Sequence, residues 1–427
     1  MDQQPAQDSG TSEREHFIPV RKIDVIDALI KHGALGADRD NFRRFCQLLG
    51  AIQHYEYHEQ LDRLHDDYFY FAPESTAHAH AGAGTLKRAY RDLIEGLTKV
   101  LHDANFIEVS RDEIERSQRE DSIVRVKLHV PVDNYRDIRF FRRGHHQETV
   151  EIKTWFGFRT RQAEFKVYDD IVMLVTVKEA APALANNKKK KKKPPKPKLR
   201  PGAVLLKYFH NIASADLNAL FPDVKVVMSW RDQLVIGVPA LITGVPILLK
   251  LASTVTVLFL IAGFYLGYAS SVRDEEWAGA LAAISGLGAL GGFAVTQWMK
   301  FQRQTLIHQK ALSDNVYYRN VNNNAGVFDT LIGEAEEQEC KEALLAYYFL
   351  LEPNGIDTHD ALDQHAETWL KKTFSVDVDL QTNDALAKLD RLGLLMRNGE
   401  QLTVAPLDEA LPRLDQVWNG FFPGTKT

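Results

Sequence analysis

Three histidines, His54, His58 and His65, fall at i, i+4 and i+11, so one helix face can present all three with Asp62 beside them. Zinc sites use imidazoles and carboxylates at such intervals, with Glu56 or Glu59 placed to act as a base. The order HYEYHEQ departs from HExxH, and histidine pairs on helices commonly serve packing or the surface instead. His78 and His80 lie in the loop STAHAHAGAG, whose small residues hold ligands poorly. No GxSxG, Walker A, CxxC or EF-hand pattern occurs. Cys46 and Cys340 stand too far apart for a Cys-based zinc module or a disulfide framework. GLGALG (Gly286–Gly291) matches a dinucleotide fingerprint in form only, because no strand precedes it. The sequence names no reaction and implies no cofactor.

The second cluster is basic. RFFRRGHHQE sets Arg139, Arg142 and Arg143 beside His145 and His146, and Lys153, Arg159, Arg161 and Lys166 follow on neighbouring strands. A positive surface on the sheet is expected, facing phosphate headgroups, a phosphorylated ligand or the acidic EAEEQE helix. The bland alternative is a solvated sheet face. Lys188–Arg200 (KKKKKKPPKPKLR) carries nine positive charges and reads as a stiff linker, either a solvated spacer or a contact to anionic lipid. It lacks the aromatic platform of a nucleic-acid site, and no specific nucleic acid is expected. Without this segment the chain holds 43 basic against 57 acidic residues, so its overall charge of -5 hides an acidic body.

These residues sit on recognisable elements. After a disordered amino terminus (1–16) with no cleavable address, helical periodicity covers Asp24–Lys31, Asp40–Asp67 and Thr85–Leu101. Alternation then marks strands at Val124–Val130, Thr149–Thr154 and Phe165–Val177. An antiparallel sheet packed on helices follows, an α+β domain over 17–180, with the Lys/Pro-rich linker at 181–202. Ala325–Leu351 reads as one helix, acidic first and apolar last. His359–Thr373 and Asn383–Leu392 are helices before a hairpin turning at Asn398-Gly399, a winged-helix-like pattern in a carboxy-terminal domain over 300–427. The second of these helices balances Asp384 and Asp390 against Lys388 and Arg391, which suits protein docking better than DNA.

Between Gln233 and Met299 only Lys250, Arg273, Asp274, Glu275 and Glu276 are charged. The uncharged runs 251–272 and 277–299 reach the roughly 20 residues a helix needs to cross a bilayer, so a two-span transmembrane hairpin is expected. Residues 203–250 form a pre-membrane segment, of which 233–249, broken by Pro239 and Pro246, is interfacial or re-entrant. Basic flanks put both termini in the cytoplasm. Gly279 with Ala283, and Gly288 with Gly292, form small-xxx-small pairs for helix packing.

Several stretches carry a resemblance: FIPVRK, FFRRG with TVEIKTWFG, ADLNALFPDVKV and NNNAGVFDTLIGEAEEQECKEALLAYYFLL. They resemble the domain-of-unknown-function 3754 family, which includes transmembrane protein 143-like proteins of mitochondria and bacterial relatives, over about Phe17–Leu395. The resemblance implies a two-span membrane protein and supplies no catalytic residues; the absence of a transit peptide favours the bacterial branch. The expectation is therefore an integral inner-membrane scaffold or regulatory protein that recruits cytoplasmic partners and is itself a homo-oligomer. A pore built from oligomerised hairpins and a metal hydrolase centred on His54 and His58 are the alternatives.

Overall fold

The run Ile171–Val177 is buried at every position, as a strand must be when both faces of its sheet are covered. In this computed structural model the described residues are 14–33, 35–110, 112–114, 127–129, 132–154, 159–179, 199–222, 224–227, 316–352, 356–380 and 382–422, with scattered positions between 259 and 310. The helices are α1 (Lys22–His32), α2 (Arg39–Tyr68), α3 (Ala83–Asp103), α4 (Ala325–Leu351), α5 (His359–Phe374), α6 (Thr382–Arg391) and α7 (Leu407–Gly420). The strands are β1 (Ile107–Glu108), β2 (Lys127–His129), β3 (Tyr135–Thr154), β4 (Arg159–Val177), β5 (Val204–Ala213), β6 (Lys225–Val227), β7 (Asn320–Asn323), β8 (Leu395–Asn398) and β9 (Gln401–Val404).

Two units divide the chain. The first comprises Met1–Glu115, Val132–Ser214 and Arg319–Thr427, and the second Arg116–Pro131 and Ala215–Tyr318. In the first, five antiparallel strands lie in the order β1-β3-β4-β5-β7. One sheet core joins Phe141, Val172, Leu174, Leu206 and Tyr208 to Leu93 and Leu97 of α3, to Leu64 and Tyr68 of α2, and to Val327–Ala335 of α4. A separate helical core joins α1, α5, α6, α7 and the β8–β9 hairpin to Phe42–Ile52 of α2 and Cys340–Leu350 of α4. Helices α2 and α4 run antiparallel: Phe45 stacks on Tyr347 at 4.0 Å, while His65 meets Phe328 at the opposite end. A 27-residue helix is about 40 Å long, so α4 is long enough to serve both cores in turn. In the hairpin, Gly399 takes φ +64° at the turn, and the Leu402 N–H donates to Asp357 O at 2.7 Å, adding a third extended segment before α5.

The second unit contains the short antiparallel pair β2–β6, in register Lys127↔Val227. The two-span hairpin expected over 251–272 and 277–299 is not upheld, for among the described residues no helix is long and apolar enough to cross a membrane. This corrects the transmembrane architecture and, with it, the multi-pass inner-membrane placement. The longest helices make the physical reason plain: the longest uncharged runs in α2 and α4 are 11 and 9 residues, about half of what a bilayer core requires. Most of 251–299, including Gly279 and Ala283, and all of 233–249 lie outside the described residues, as does the Lys/Pro-rich run 188–198. Gly288 and Gly292 are described and helical, and no atom of the described residues lies within 4 Å of the position a Cβ would take.

Leu331 in the sheet core and Leu344 in the helical core are both fully buried. Replacing either by Ala is expected to cost about 2–5 kcal/mol. Because α4 is common to both cores, guanidinium unfolding followed by near-ultraviolet and far-ultraviolet dichroism should shift as a single transition in either variant. Two separated transitions would show that the cores unfold independently.

Candidate functional site

The register brings three chemically active residues into one row across the sheet. Arg143 on β3 lies opposite Asp170 on β4, which lies opposite His210 on β5. Arg143 is 3% exposed. Its Nε and Nη2 donate to Asp170 Oδ2 at 3.0 and 2.7 Å, Nη2 also to the Tyr208 hydroxyl at 3.1 Å, and Nη1 to Ala104 O at 3.3 Å. The guanidinium lies between the Phe17 and Phe106 rings, 4.3 and 4.5 Å from their centroids, which suits its weakly hydrated plane.

Glu334 of α4 closes this cluster. It accepts the Tyr208 hydroxyl proton at 2.8 Å, and its Oε2 lies 2.9 Å from Arg143 Nη2 but off the N–H directions, so that contact is ionic only. Burial raises the Glu334 carboxyl, against the pull of Arg143 and Tyr208. Burial opposes ionisation of Asp170 too, yet the bonds from His210 and Arg143 prevail and hold it below the usual carboxylate range. His210 places Nδ1 on Asp170 Oδ1, and this bond raises the imidazole above its ordinary value. The His210 side chain is half exposed.

Farther along α4 the polar residues continue between the two apolar cores. Glu342 accepts from Asn105 Nδ2 at 3.0 Å, and Lys388 of α6 meets Glu339 at 2.6 Å. Tyr57 donates to Asp103 Oδ2 at 3.1 Å. Burial, reinforced by Glu339, pushes the Glu342 carboxyl up to about 8; burial pulls the neighbouring Lys341 ammonium down to about 8. Lys341 donates to the carbonyls of Ile18 and Val20 at 2.7 and 2.9 Å. Seven polar positions, from Glu336 to Glu342 with Cys340 among them, thus form the belt where the helix passes from one core to the other.

The residues singled out from spacing occupy different places. His54 pairs with Glu336 at 2.9 Å, its ring 6.3 Å from that of His58, whereas His65 stands at the other end near Asp329, 3.7 Å away. Among the described residues no group of three or more His, Cys, Asp or Glu is placed to hold a metal ion. The basic sheet surface also needs correction. Arg142 and Arg143 are buried, 7% and 3% exposed, because carboxylates from distant segments neutralise them; Arg139 pairs locally with Asp137 at 3.1 Å. Lys153, Arg159 and Arg161 lie where β3 and β4 pair far from this row (Lys153↔Thr160, Thr154↔Arg159, Ile152↔Arg161), and their side chains are outside the described set. On α6, Lys388 is taken up by buried Glu339 and exposed Arg391 by Glu56, so both bases of the helix a DNA-reading module would use are paired with carboxylates. Asp170, His210, Glu334, Lys341 and Glu342 were missed as site residues. Their signal was present only as the doublet Asp169-Asp170 in an apolar strand and as charges inside a helix that ends apolar.

The geometry defines an α+β protein with a buried ionic row at one end of an antiparallel sheet. Residues 168–326 match the family described as Protein of unknown function (DUF3754), which supports the resemblance to that domain-of-unknown-function family over this stretch. The matched stretch contains Asp170, Tyr208 and His210 and stops before Glu334; it does not separate the transmembrane protein 143-like or bacterial branches. No solved structure matches the chain.

Two expectations follow. Arg143→Ala leaves Asp170 and Glu334 buried without their cation and should cost about 3–5 kcal/mol in denaturant unfolding. Glu342 is held neutral in the fold up to about 8, against an ordinary value of 4.5, so the stability it contributes is complete below that ordinary value and is lost as pH rises toward about 8. Glu342→Gln should flatten this decline, which cannot exceed about 1.4 kcal/mol per pH unit. Lys341 acts in the next window, its cost being present below about 8 and relieved as pH rises toward 10.5. Thermal unfolding of both chains from pH 5 to 8 reads the difference, and parallel curves would refute it.

Proposed function

We propose that this protein is a scaffold or regulatory protein that recruits protein partners, with its buried charges serving architecture rather than turnover. The observation that carries this reading is that, among the described residues, buried charges are engaged with one another or with the main chain: Arg143 with Asp170 and Glu334, Lys388 with Glu339, and Lys341 with two backbone carbonyls. A charge so neutralised fixes the relation between segments and has little left to offer a substrate.

A second reading rests on one specific feature. The Asp170–His210 pair has the geometry of an acid–base dyad: a buried carboxylate holds Nδ1 of a half-exposed ring, orienting the imidazole and favouring its protonated form.

One experiment separates the two. The purified chain and His210→Ala are assayed in parallel on ester, phosphoester and peptide substrates, and each is cross-linked in extracts of its source cells with identification of the products by mass. The scaffold reading expects equal background turnover and the same partner at fixed stoichiometry with both proteins. Turnover at least 100-fold above background that disappears in His210→Ala would replace it with the acid–base reading.

A further inference from the structure

Ahead of α1, residues 14–20 run across the first unit and touch it through both main chain and side chains, Arg14 reaching Glu367 at 2.7 Å and His16 Nδ1 lying 2.7 Å from Asp379 O. Glu15 pairs in parallel with Val378, and the Asp379 N–H donates to Glu15 O at 3.0 Å. Gln338 clasps Ile18 from both sides, its Oε1 accepting the Ile18 N–H at 3.2 Å while its Nε2 donates to the Ile18 carbonyl at 3.1 Å. Lys341 bonds the carbonyls of Ile18 and Val20.

Two side chains add selectivity. The Glu15 carboxylate sits in a receptor made by Arg142 Nη1 at 3.5 Å, the Gly144 N–H at 3.3 Å and His145 Nδ1. Gly144 has φ +66°, and a Cβ there would collide with the Asp169 carboxylate, so only glycine presents its N–H in this way. Three residues on, Ile18 is fully buried in the helical core.

Gln338, Lys341 and Arg142 are 1%, 2% and 7% exposed. A buried helix or strand does not retain such polar ends unless something satisfies them, and here residues 15–20 bond to all three. Main-chain bonds provide affinity and two side-chain pockets provide register, the logic of strand addition in peptide receptors. Every copy of this chain carries a segment that fits, and Arg21 joins the docked residues to α1, which begins at Lys22.

We infer that the groove formed by Gln338, Lys341, Arg142–His145 and Val378–Asp379 is a docking site for an extended Glu-x-x-Ile peptide, filled here by residues 14–20 and, at high protein concentration, by the same segment of a second copy. The resulting dimer is an exchange of arms that keeps every contact while swapping its owner. At low concentration the tethered segment wins, since its effective concentration is on the order of millimolar. This inference goes beyond the scaffold reading and does not depend on it.

The full chain carrying Glu15→Cys and Val378→Cys, the bridged pair, tests the exchange, the disulfide holding the segment in place of the Glu15 carboxylate contacts that the substitution removes. Oxidised at concentrations from 5 μM to 1 mM and run without reductant, it should give an internally linked monomer at the low end and a growing share of covalent dimer at the high end. A chain with Val378→Cys alone should not give that dimer. Internal linkage at every concentration, or equal dimer from the single-cysteine control, overturns the exchange. The groove itself is tested with a fluorescent peptide of the sequence REHFIPVRK. The full-length double variant Glu15→Ala/Ile18→Ala, whose own segment is loosened, should bind this peptide at least ten-fold more tightly than the native chain does. A peptide bearing the same two alanines should fail to bind. Equal affinity for the two proteins, or no binding by a variant that keeps the native dichroism spectrum, overturns the groove; Glu15→Ala alone serves if the double variant does not fold.

Discussion

A guanidinium taken out of water has to be met by anions and hydrogen-bond acceptors on all its donors, and Arg143 imposes that requirement on most of the first unit. Its five N–H groups and two flat faces draw on β4 through Asp170, β5 through Tyr208, α4 through Glu334, the α3–β1 turn through Ala104 and Phe106, and the amino-terminal segment through Phe17. Desolvating such an ion alone costs several kcal/mol, so an arrangement that omits any of these neighbours is penalised strongly. Once α4 is fixed at Glu334, its remaining turns are set against α2, and the position of the helical core follows. The row is thus better understood as a device for specificity than as a store of stability.

The carboxylates of this region show how one chemical group takes different states in one fold. Asp170 is anionic because a cation and an imidazole face it, whereas Glu342, with Asn105 as its hydrogen-bonding partner and Glu339 nearby, is held toward its neutral form. Glu334 stands between them, stabilised by Arg143 and opposed by burial. Polar groups that meet their partners only in the correct packing disfavour near-native alternatives, such as α4 displaced along its axis by one turn.

Local patterns were readable where local physics decides. The burial of Ile171–Val177 follows from seven consecutive residues of which six are apolar, and α4 forms over Ala325–Leu351 as the periodicity indicates; the hairpin forms one residue later than the dipeptide Asn398-Gly399 suggests, with Gly399-Glu400 at the turn and Asn398 paired to Gln401. What could not be read is pairing between distant segments. EAEEQECKE looks like a solvated face because charged residues are seldom buried without partners, and those partners, Arg143, Ile18, Asn105 and Lys388, lie between 49 and 323 positions away. The same blindness turned Arg142 and Arg143 into a presumed surface and gathered His54, His58 and His65 into a presumed site. Uncharged length in the middle of the chain likewise suggested membrane spans that the described helices do not supply.

The placement of α4 late in the chain also fixes a sequence of events during synthesis. Glu15 emerges first, yet Val378, with which it pairs, is made 363 residues later, roughly 20–70 seconds at about 5–20 residues per second. Until residues 320–351 are made, β5 has no β7 at its outer edge, the sheet core has no cover from α4, and Arg143 has only part of its anionic shell. The early half of the polypeptide therefore leaves the ribosome with apolar surface and a strand edge exposed, the condition under which nascent chains depend on chaperones. A message truncated before codon 351 encodes a product without either finished core, which makes it a substrate for degradation rather than a smaller working protein.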